Sequence, residues 1–187
     1  MLQRLSTGLA RIEEIAAAFL AAVVTCLILT NIAFRAFGSP LYWISELSIY
    51  AMIWMTFLIA SAVLKRRQGI AVTLLPEALS QSGRKLVSLW VDAVVLLFAL
   101  VMAVLCWQWY QPLTLARLGF DTQAFQGETF NFIYAENTST LGVKKFWFWL
   151  IVPWFALSLT LHGAANLIQA LWQWRDPAEE PGTEARP

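Results

Sequence analysis

The chain has 187 residues, of which 59% are apolar and 13% are charged, and its mean hydropathy is +0.61. Soluble domains usually carry about 25% charged residues, so this composition excludes an ordinary soluble domain. The net charge of +1 argues against nucleic-acid binding and provides no strong field to steer an acidic ligand.

Four long apolar runs dominate the sequence, and Asp92 is the one acidic residue inside any of them. The hydrocarbon core of a bilayer is about 30 Å thick and requires roughly 20 apolar residues in a helix. Lipid cannot satisfy open backbone hydrogen bonds, so such runs must be helical. The sequence therefore predicts an all-α integral membrane protein with four transmembrane helices, at about 15–34, 47–64, 86–110 and 146–174.

The first run has one alternative interpretation, a cleaved signal peptide. Its apolar stretch is longer than the roughly 7–15 residues of a signal-peptide core, and Glu13 and Glu14 stand where positive charge is expected. These features favour a transmembrane helix.

The connection between the second and third runs is predicted to contain a short interfacial helix on the inner membrane surface. Pro76 followed by Glu77 is typical of a helix start, and Gly83 ends the helix before the third run. A disordered hairpin is the alternative.

The long connection 111–145 is rich in aromatic residues, which argues against full disorder. It is expected to dip into the membrane interface, cover the bundle or contact an external partner. The Pro-, Glu- and Gly-rich tail, 176–187, is predicted to be disordered and cytoplasmic.

The loops give the orientation, because cytoplasmic loops are enriched in Lys and Arg. Nine of the 13 basic residues lie on the side of both termini and the middle connection, and four lie on the other side. Both termini are therefore predicted to be cytoplasmic. Trp43, Trp107 and Trp147 fall at the predicted outer interface, where Trp is enriched, whereas Trp54, Trp90 and Trp154 are expected to pack between helices.

Two polar residues inside the apolar runs are candidates for chemistry. Asp92 lies about two turns from Lys85, so we expect it to pair with Arg84, Lys85 or a partner subunit; a coupling-ion or proton site is the alternative. His162, with Asn166 one turn along, is expected to be a neutral histidine bonded between helices, with a proton relay as the alternative.

No cofactor, metal or catalytic site is predicted. His162 is the only histidine, and Cys26 and Cys106 lie in apolar runs, where they are interpreted as small buried hydrophobic residues. An enzyme needs a nucleophile, a base or a metal brought together in one place, and the sequence contains no motif that predicts such a site. The chain is therefore interpreted as a helper subunit and not an enzyme. Arg35 and Glu46 flank a short outer turn and are expected to form an ion pair.

The stretch 31–75 resembles the small, Q-type (DctQ-like) permease subunit of tripartite ATP-independent periplasmic (TRAP) transporters. The shared features are an Asn and an Arg at the end of the first helix, followed by a Phe-Gly-small-Pro turn. A Trp and a Glu then begin the second helix, a further Trp and a Phe lie within it, and a basic cluster ends it. In this sequence they are Asn31, Arg35, Phe37, Gly38, Pro40, Trp43, Glu46, Trp54, Phe57, Lys65 and Arg66. Leu47, Ile49 and Gly69 stand where many members have charged residues or histidine.

The resemblance implies a scaffold subunit of a sodium-coupled transporter for an organic acid. Its implied partners are the large, elevator-type M subunit, a periplasmic substrate-binding protein and membrane lipids. Candidates for the partner interface or for structural roles are Arg35, Trp43, Glu46, Trp54, Lys65, Arg66 and Asp92. The alternatives are a membrane anchor subunit of a redox enzyme and a small ion or proton channel that uses Asp92 and His162.

Overall fold

A computed structural model of the protein describes residues 1–67 and 81–175. Within these ranges the chain forms seven helices and no strand. They are α1 (Leu2–Ala36), α2 (Tyr42–Arg66), α3 (Gln81–Tyr110), α4 (Pro112–Arg117), α5 (Thr122–Thr129), α6 (Phe146–Trp149) and α7 (Ile151–Arg175).

The described chain contains four helical stretches that are long and apolar enough to cross a membrane. They are α1, α2, the stretch Gly83–Arg117, which joins α3 to α4, and the stretch Phe146–Trp172, which joins α6 to α7. The predicted all-α fold with four transmembrane helices is confirmed. The interfacial helix predicted around Pro76 and the tail 176–187 lie outside the described residues.

Helix α1 begins at Leu2, well before the apolar run predicted at 15–34, and has 35 residues. At a rise of 1.5 Å per residue it is about 50 Å long, more than the hydrocarbon core of a bilayer. Its first turns therefore carry Arg4, Arg11, Glu13 and Glu14 on a continuous helix. This extension places charged side chains of α1 beside the ends of α2 and α7.

Helix α7 is the centre of the bundle and packs against α1, α2 and α3. One apolar cluster joins Ala17, Leu58 and Ile151 from α1, α2 and α7. A second joins Ala99 of α3 to Phe155 and Leu159 of α7. Helices α1 and α2 thus form a hairpin on one side of α7, and α3 lies against α7 separately.

The segment 111–145 is folded and packs on the bundle, which was one of the three expected arrangements. Its core joins Tyr110, Phe125, Ile133 and Tyr134, against which Phe146 and other residues pack. The Tyr134 hydroxyl donates to the Tyr110 carbonyl oxygen at 2.7 Å, and burial raises the pKa of the Tyr134 phenol, which keeps it a neutral donor.

The predicted packing of the deep tryptophans is confirmed for only one of the three. Trp54 is half-buried and its Nε1 donates to the Phe148 carbonyl oxygen at 2.7 Å. Trp90 and Trp154 are 67% and 46% exposed, and Cys26 is also exposed, so their predicted burial is wrong. The surface of a membrane protein is itself apolar, so hydrophobicity alone does not identify buried side chains there.

Candidate functional site

Five polar side chains meet in the interior of the bundle. This buried polar cluster comprises Ser6 and Glu13 of α1, Ser61 of α2, and Ser158 and His162 of α7, all at most 3% exposed. A buried carboxylate is costly unless it is hydrogen-bonded or paired. The cluster must therefore satisfy its own polar atoms.

Both oxygens of the Glu13 carboxylate are partnered. Oε1 accepts a hydrogen bond from Ser158 Oγ at 2.5 Å, and Oε2 lies 3.1 Å from His162 Nε2. Ser158 Oγ lies 2.9 Å from Ser61 Oγ, and since the Ser158 hydrogen points to Glu13, Ser61 is the donor to Ser158. The carboxylate thus connects all three helices of the α1–α2–α7 core.

The second ring nitrogen of His162, Nδ1, lies 2.7 Å from Ser6 Oγ. A carboxylate at Nε2 fixes the proton there, so in the neutral ring Nδ1 accepts the Ser6 hydroxyl hydrogen. The expected interhelical histidine is therefore present in the structure. Asn166 was expected on the same helix face as His162, but it contacts Lys65 and Arg67 instead.

Sequence reasoning missed Glu13 because it precedes the first apolar run. A signal was available: the buried residues of the first half of α1 are Ser6, Ala10, Glu13 and Ala17. Spacings of three and four residues place these positions on one helix face. Extending the helical pattern upstream of residue 15 would have placed Glu13 on the packed face.

Arg67 connects three helices at the end of α2. It caps α2 in the left-handed conformation, with φ of 53°. Its guanidinium pairs with the buried Asp92 of α3 and donates to the Asn166 carbonyl oxygen of α7 at 2.9 Å. The expected pairing of Asp92 with Arg84 or Lys85 is therefore wrong, because those residues lie 10 Å or more along the same helix while the end of α2 approaches from the side.

Lys65 binds neutral oxygens and not a carboxylate. Its Nζ donates to Gln3 Oε1 at 2.7 Å and to Asn166 Oδ1 at 3.1 Å. The Asn166 amide donates in turn to the carbonyl oxygens of Leu64 and Lys65, at 3.2 Å each. These bonds satisfy two of the carbonyl groups that a helix end leaves open.

Glu46 lies near the start of α2, at the other end of the bundle. Its carboxylate accepts from the backbone N–H groups of Ser139, Thr140 and Leu141, at 2.8, 2.6 and 3.2 Å, and from Thr140 Oγ1 at 2.5 Å. The expected ion pair with Arg35 is wrong, and Arg35 is exposed. Several converging donors of one turn hold the carboxylate better than a single flexible guanidinium would.

The predicted site residues do not converge on one place. Lys65 and Asp92 belong to the contacts around Arg67 and Asn166, and Arg66 forms an exposed ion pair with Glu14 of α1 beside them. Trp54 bonds within the bundle, while Arg35 and Trp43 are exposed at the Glu46 end.

The family model described as "Tripartite ATP-independent periplasmic transporters, DctQ component" matches residues 24–172. The C4-dicarboxylate TRAP transporter small permease protein DctQ of Vibrio cholerae is 29% identical over 112 residues, which cover 59% of this chain and 48% of that protein. The match thus spans about half the length of this relative. From the extent of the family match and the four membrane helices, the chain belongs to the DctQ family, the small-permease component of TRAP transporters.

Proposed function

We propose that the chain is the small scaffold subunit of a sodium-coupled TRAP transporter. It packs against the large elevator-type permease subunit and supports uptake of an organic acid that a periplasmic binding protein delivers. Family membership supports the assembly, and the name of the Vibrio relative, a C4-dicarboxylate transporter subunit, supports the substrate class.

The main support for a scaffold role is that polar contacts hold the helices together at two places in the bundle. The buried polar cluster joins α1, α2 and α7 through Glu13 and His162. Arg67 then joins α2, α3 and α7 through Asp92 and Asn166. Displacing any one of these helices would leave a buried polar group without its partner, which is costly in a membrane. Such a bundle suits a stationary frame beside a moving domain.

The same contacts argue against the alternative function, a small ion or proton channel. Asp92 and His162, the residues such a channel would use, are each held by a partner within this chain, Arg67 and Glu13. Asp92 and His162 both line one cavity of about 40 Å³, which has Val95 and Leu159 among its apolar walls. A cavity of that size is too small to form a polar path across the bundle, and this arrangement favours the scaffold.

We place the Arg67 end in the cytoplasm and the Glu46 end outside, in a bacterial inner membrane. The support is the excess of Lys and Arg on the side of the Arg67 end. In this orientation the folded segment 111–145 lies on the side from which a binding protein delivers substrate.

We further propose that the exposed pair Arg35 and Trp43 contacts the large subunit. Both lie at the Glu46 end and are available on the surface, and Arg and Trp are residue types enriched at interface hot spots. Glu46 and Trp54 have a structural role beside that surface. Glu46 accepts a hydrogen bond from the Thr140 amide, and Trp54 donates one to the Phe148 carbonyl oxygen.

Affinity co-purification tests the assembly. The full chain, tagged at its C-terminus and extracted in mild detergent, is expected to bring down a large membrane subunit in equal amount. The variant Arg35→Ala, Trp43→Ala is expected to lose that subunit and the uptake it supports. Arg117→Ala, Trp147→Ala is the matched control, since it removes an exposed arginine and an exposed tryptophan from elsewhere on the chain. A wild-type chain that purifies alone and folded would contradict the proposal.

A further inference from the structure

A wide cleft opens at the Arg67 end, between the first turns of α1, the end of α2 and α7. Its volume is about 820 Å³. As far as the described residues define it, five basic side chains and no acidic side chain line it. The five are Arg4, Arg11, Lys65, Arg66 and Arg67. We name this feature the basic cleft.

Among the residues that the structure describes, two of the five cations pair with a carboxylate. Arg66 pairs with Glu14, and Arg67 pairs with Asp92. Lys65 has three N–H donors and gives two of them to neutral amide oxygens. Across the part of the chain that the structure describes, no carboxylate lies within ion-pair distance of Arg4, Arg11 or Lys65. Within residues 1–67 and 81–175, three of the five cations of the basic cleft therefore have no carboxylate to pair with.

The surroundings of the cleft indicate which anion fits. Arg4 and Arg11 are exposed and lie two turns apart on α1, about 10 Å along its axis. Next to them around the helix runs an exposed apolar strip, formed by Leu5, Ile12, Ile15 and Phe19. A ligand that fills this surface has an anionic group at one end and hydrocarbon at the other.

From this arrangement we infer that the basic cleft binds the phosphate headgroup of an anionic phospholipid, with the acyl chains along the apolar strip of α1. Basic pockets between transmembrane helices are known to hold such headgroups. The charge and the size of the cleft favour a lipid over a small soluble phosphate, which would leave most of the volume and the strip unused. The inference requires only that the chain lies in a membrane and does not depend on the transport role.

Native mass spectrometry of the purified full chain tests the inference with two defined lipids. Phosphatidylglycerol is anionic and phosphatidylcholine carries the same phosphate with a compensating cation. Phosphatidylglycerol is expected to bind the wild-type chain more tightly, and added NaCl is expected to weaken that binding by screening. Arg4→Gln, Arg11→Gln is expected to bind phosphatidylglycerol about thirtyfold more weakly, the loss typical of two basic side chains near an anionic surface.

The control variant Arg35→Gln, Arg117→Gln also removes two cations, but from outside the basic cleft, and is expected to bind like wild type. Because Arg4 and Arg11 are exposed, their replacement leaves the packing intact, which an unchanged unfolding midpoint would verify. Equal binding of the two lipids by the wild-type chain would overturn the inference. So would equal binding of phosphatidylglycerol by the two variants. Displacement of the lipid by inorganic phosphate at matched ionic strength would assign the cleft to soluble phosphate instead.

Discussion

The Glu13 carboxylate and the His162 imidazole lie 3.1 Å apart in the interior of the bundle, and each side chain is at most 1% exposed. They come from α1 and α7, near opposite ends of the sequence. Removing the Glu13 carboxylate leaves the Ser158 hydroxyl and the Nε2–H of the neutral His162 ring without their acceptor. Each buried hydrogen-bonding group left without a partner costs about 1–3 kcal/mol. The pair is therefore expected to determine whether α1 stays attached to α7.

Replacing Glu13 with Leu is expected to lower the free energy of unfolding by about 2–6 kcal/mol, the cost of two buried donors left without an acceptor. The measurement is far-UV circular dichroism during denaturant titration in detergent. Glu14→Leu is the matched control, because this neighbouring carboxylate pairs only with the exposed Arg66, and surface pairs contribute about 0–1 kcal/mol. The double variant Glu13→Leu, His162→Leu is expected to lose less than the sum of its single variants. A Glu13→Leu protein as stable as Glu14→Leu would show that the buried carboxylate does not hold α1.

A second prediction concerns Arg67 and the attachment of α3. Arg67→Met leaves the buried Asp92 without its cation, so we expect a loss of about 3 kcal/mol or more in the free energy of unfolding. Lys85→Met removes the cation that the sequence favoured and is expected to change little. The exchanged pair Arg67→Asp, Asp92→Arg is expected to recover part of the loss, since Asp tolerates the left-handed conformation at position 67. Equal losses for Arg67→Met and Lys85→Met would refute this assignment.

The sequence was sufficient for the membrane helices because their signal is local: each apolar run specifies its own helix. Partners across the bundle were not predictable in the same way. Asp92 was correctly expected to need a cation, but the choice of Arg67 depends on where the end of α2 meets α3. Glu46 likewise was expected to bind the nearest arginine in sequence, and it binds a turn more than 90 residues away.

Burial was the least predictable property. In a soluble protein a Trp inside an apolar run is usually packed, whereas here Trp90 of α3 is 67% exposed. Polar residues divide in the same way. Ser6, Ser61 and Ser158 are buried and bond across helices, whereas exposed threonines bond to the carbonyl oxygen four residues earlier in their own helix: Thr25, Thr30 and Thr56. In lipid a polar side chain needs a partner, and small residues also allow helices to approach closely.

The carboxylate of Glu46 is expected to order the turn at residues 139–141 without stabilising the whole bundle. Glu46→Gln replaces a charged acceptor with a weaker neutral one, so the backbone amides of Ser139, Thr140 and Leu141 are expected to exchange hydrogen about tenfold or more faster. Hydrogen-exchange mass spectrometry of the peptide containing this turn measures the effect. Glu128→Gln, at an exposed pair with Arg117, is the control and is expected to leave the turn unchanged. Unchanged exchange in Glu46→Gln would mean that the turn is ordered by its own bonds, such as the one from the Thr138 amide to the Val143 carbonyl oxygen.

The last prediction concerns Gly163, where α3 and α7 approach each other closely. A Cβ at this position would lie 3.3 Å from the Leu96 Cα, a backbone atom that moves only if α3 itself moves. Gly163→Ala gains about 0.5–1 kcal/mol of helix preference and loses a similar amount to this contact, so we expect little net change.

Gly163→Leu cannot be accommodated without separating the two helices, and we expect the free energy of unfolding to fall by about 1–3 kcal/mol. The measurement is the same denaturant titration in detergent. Gly127→Leu is the control: a Cβ at Gly127 of α5 meets nothing within 4 Å, so that variant is expected to unfold like wild type. If both leucine variants unfold at the wild-type midpoint, the close approach of α3 to α7 at Gly163 does not contribute to stability. The apolar cluster around Ala99 and the pair of Arg67 with Asp92 would then be left to attach α3.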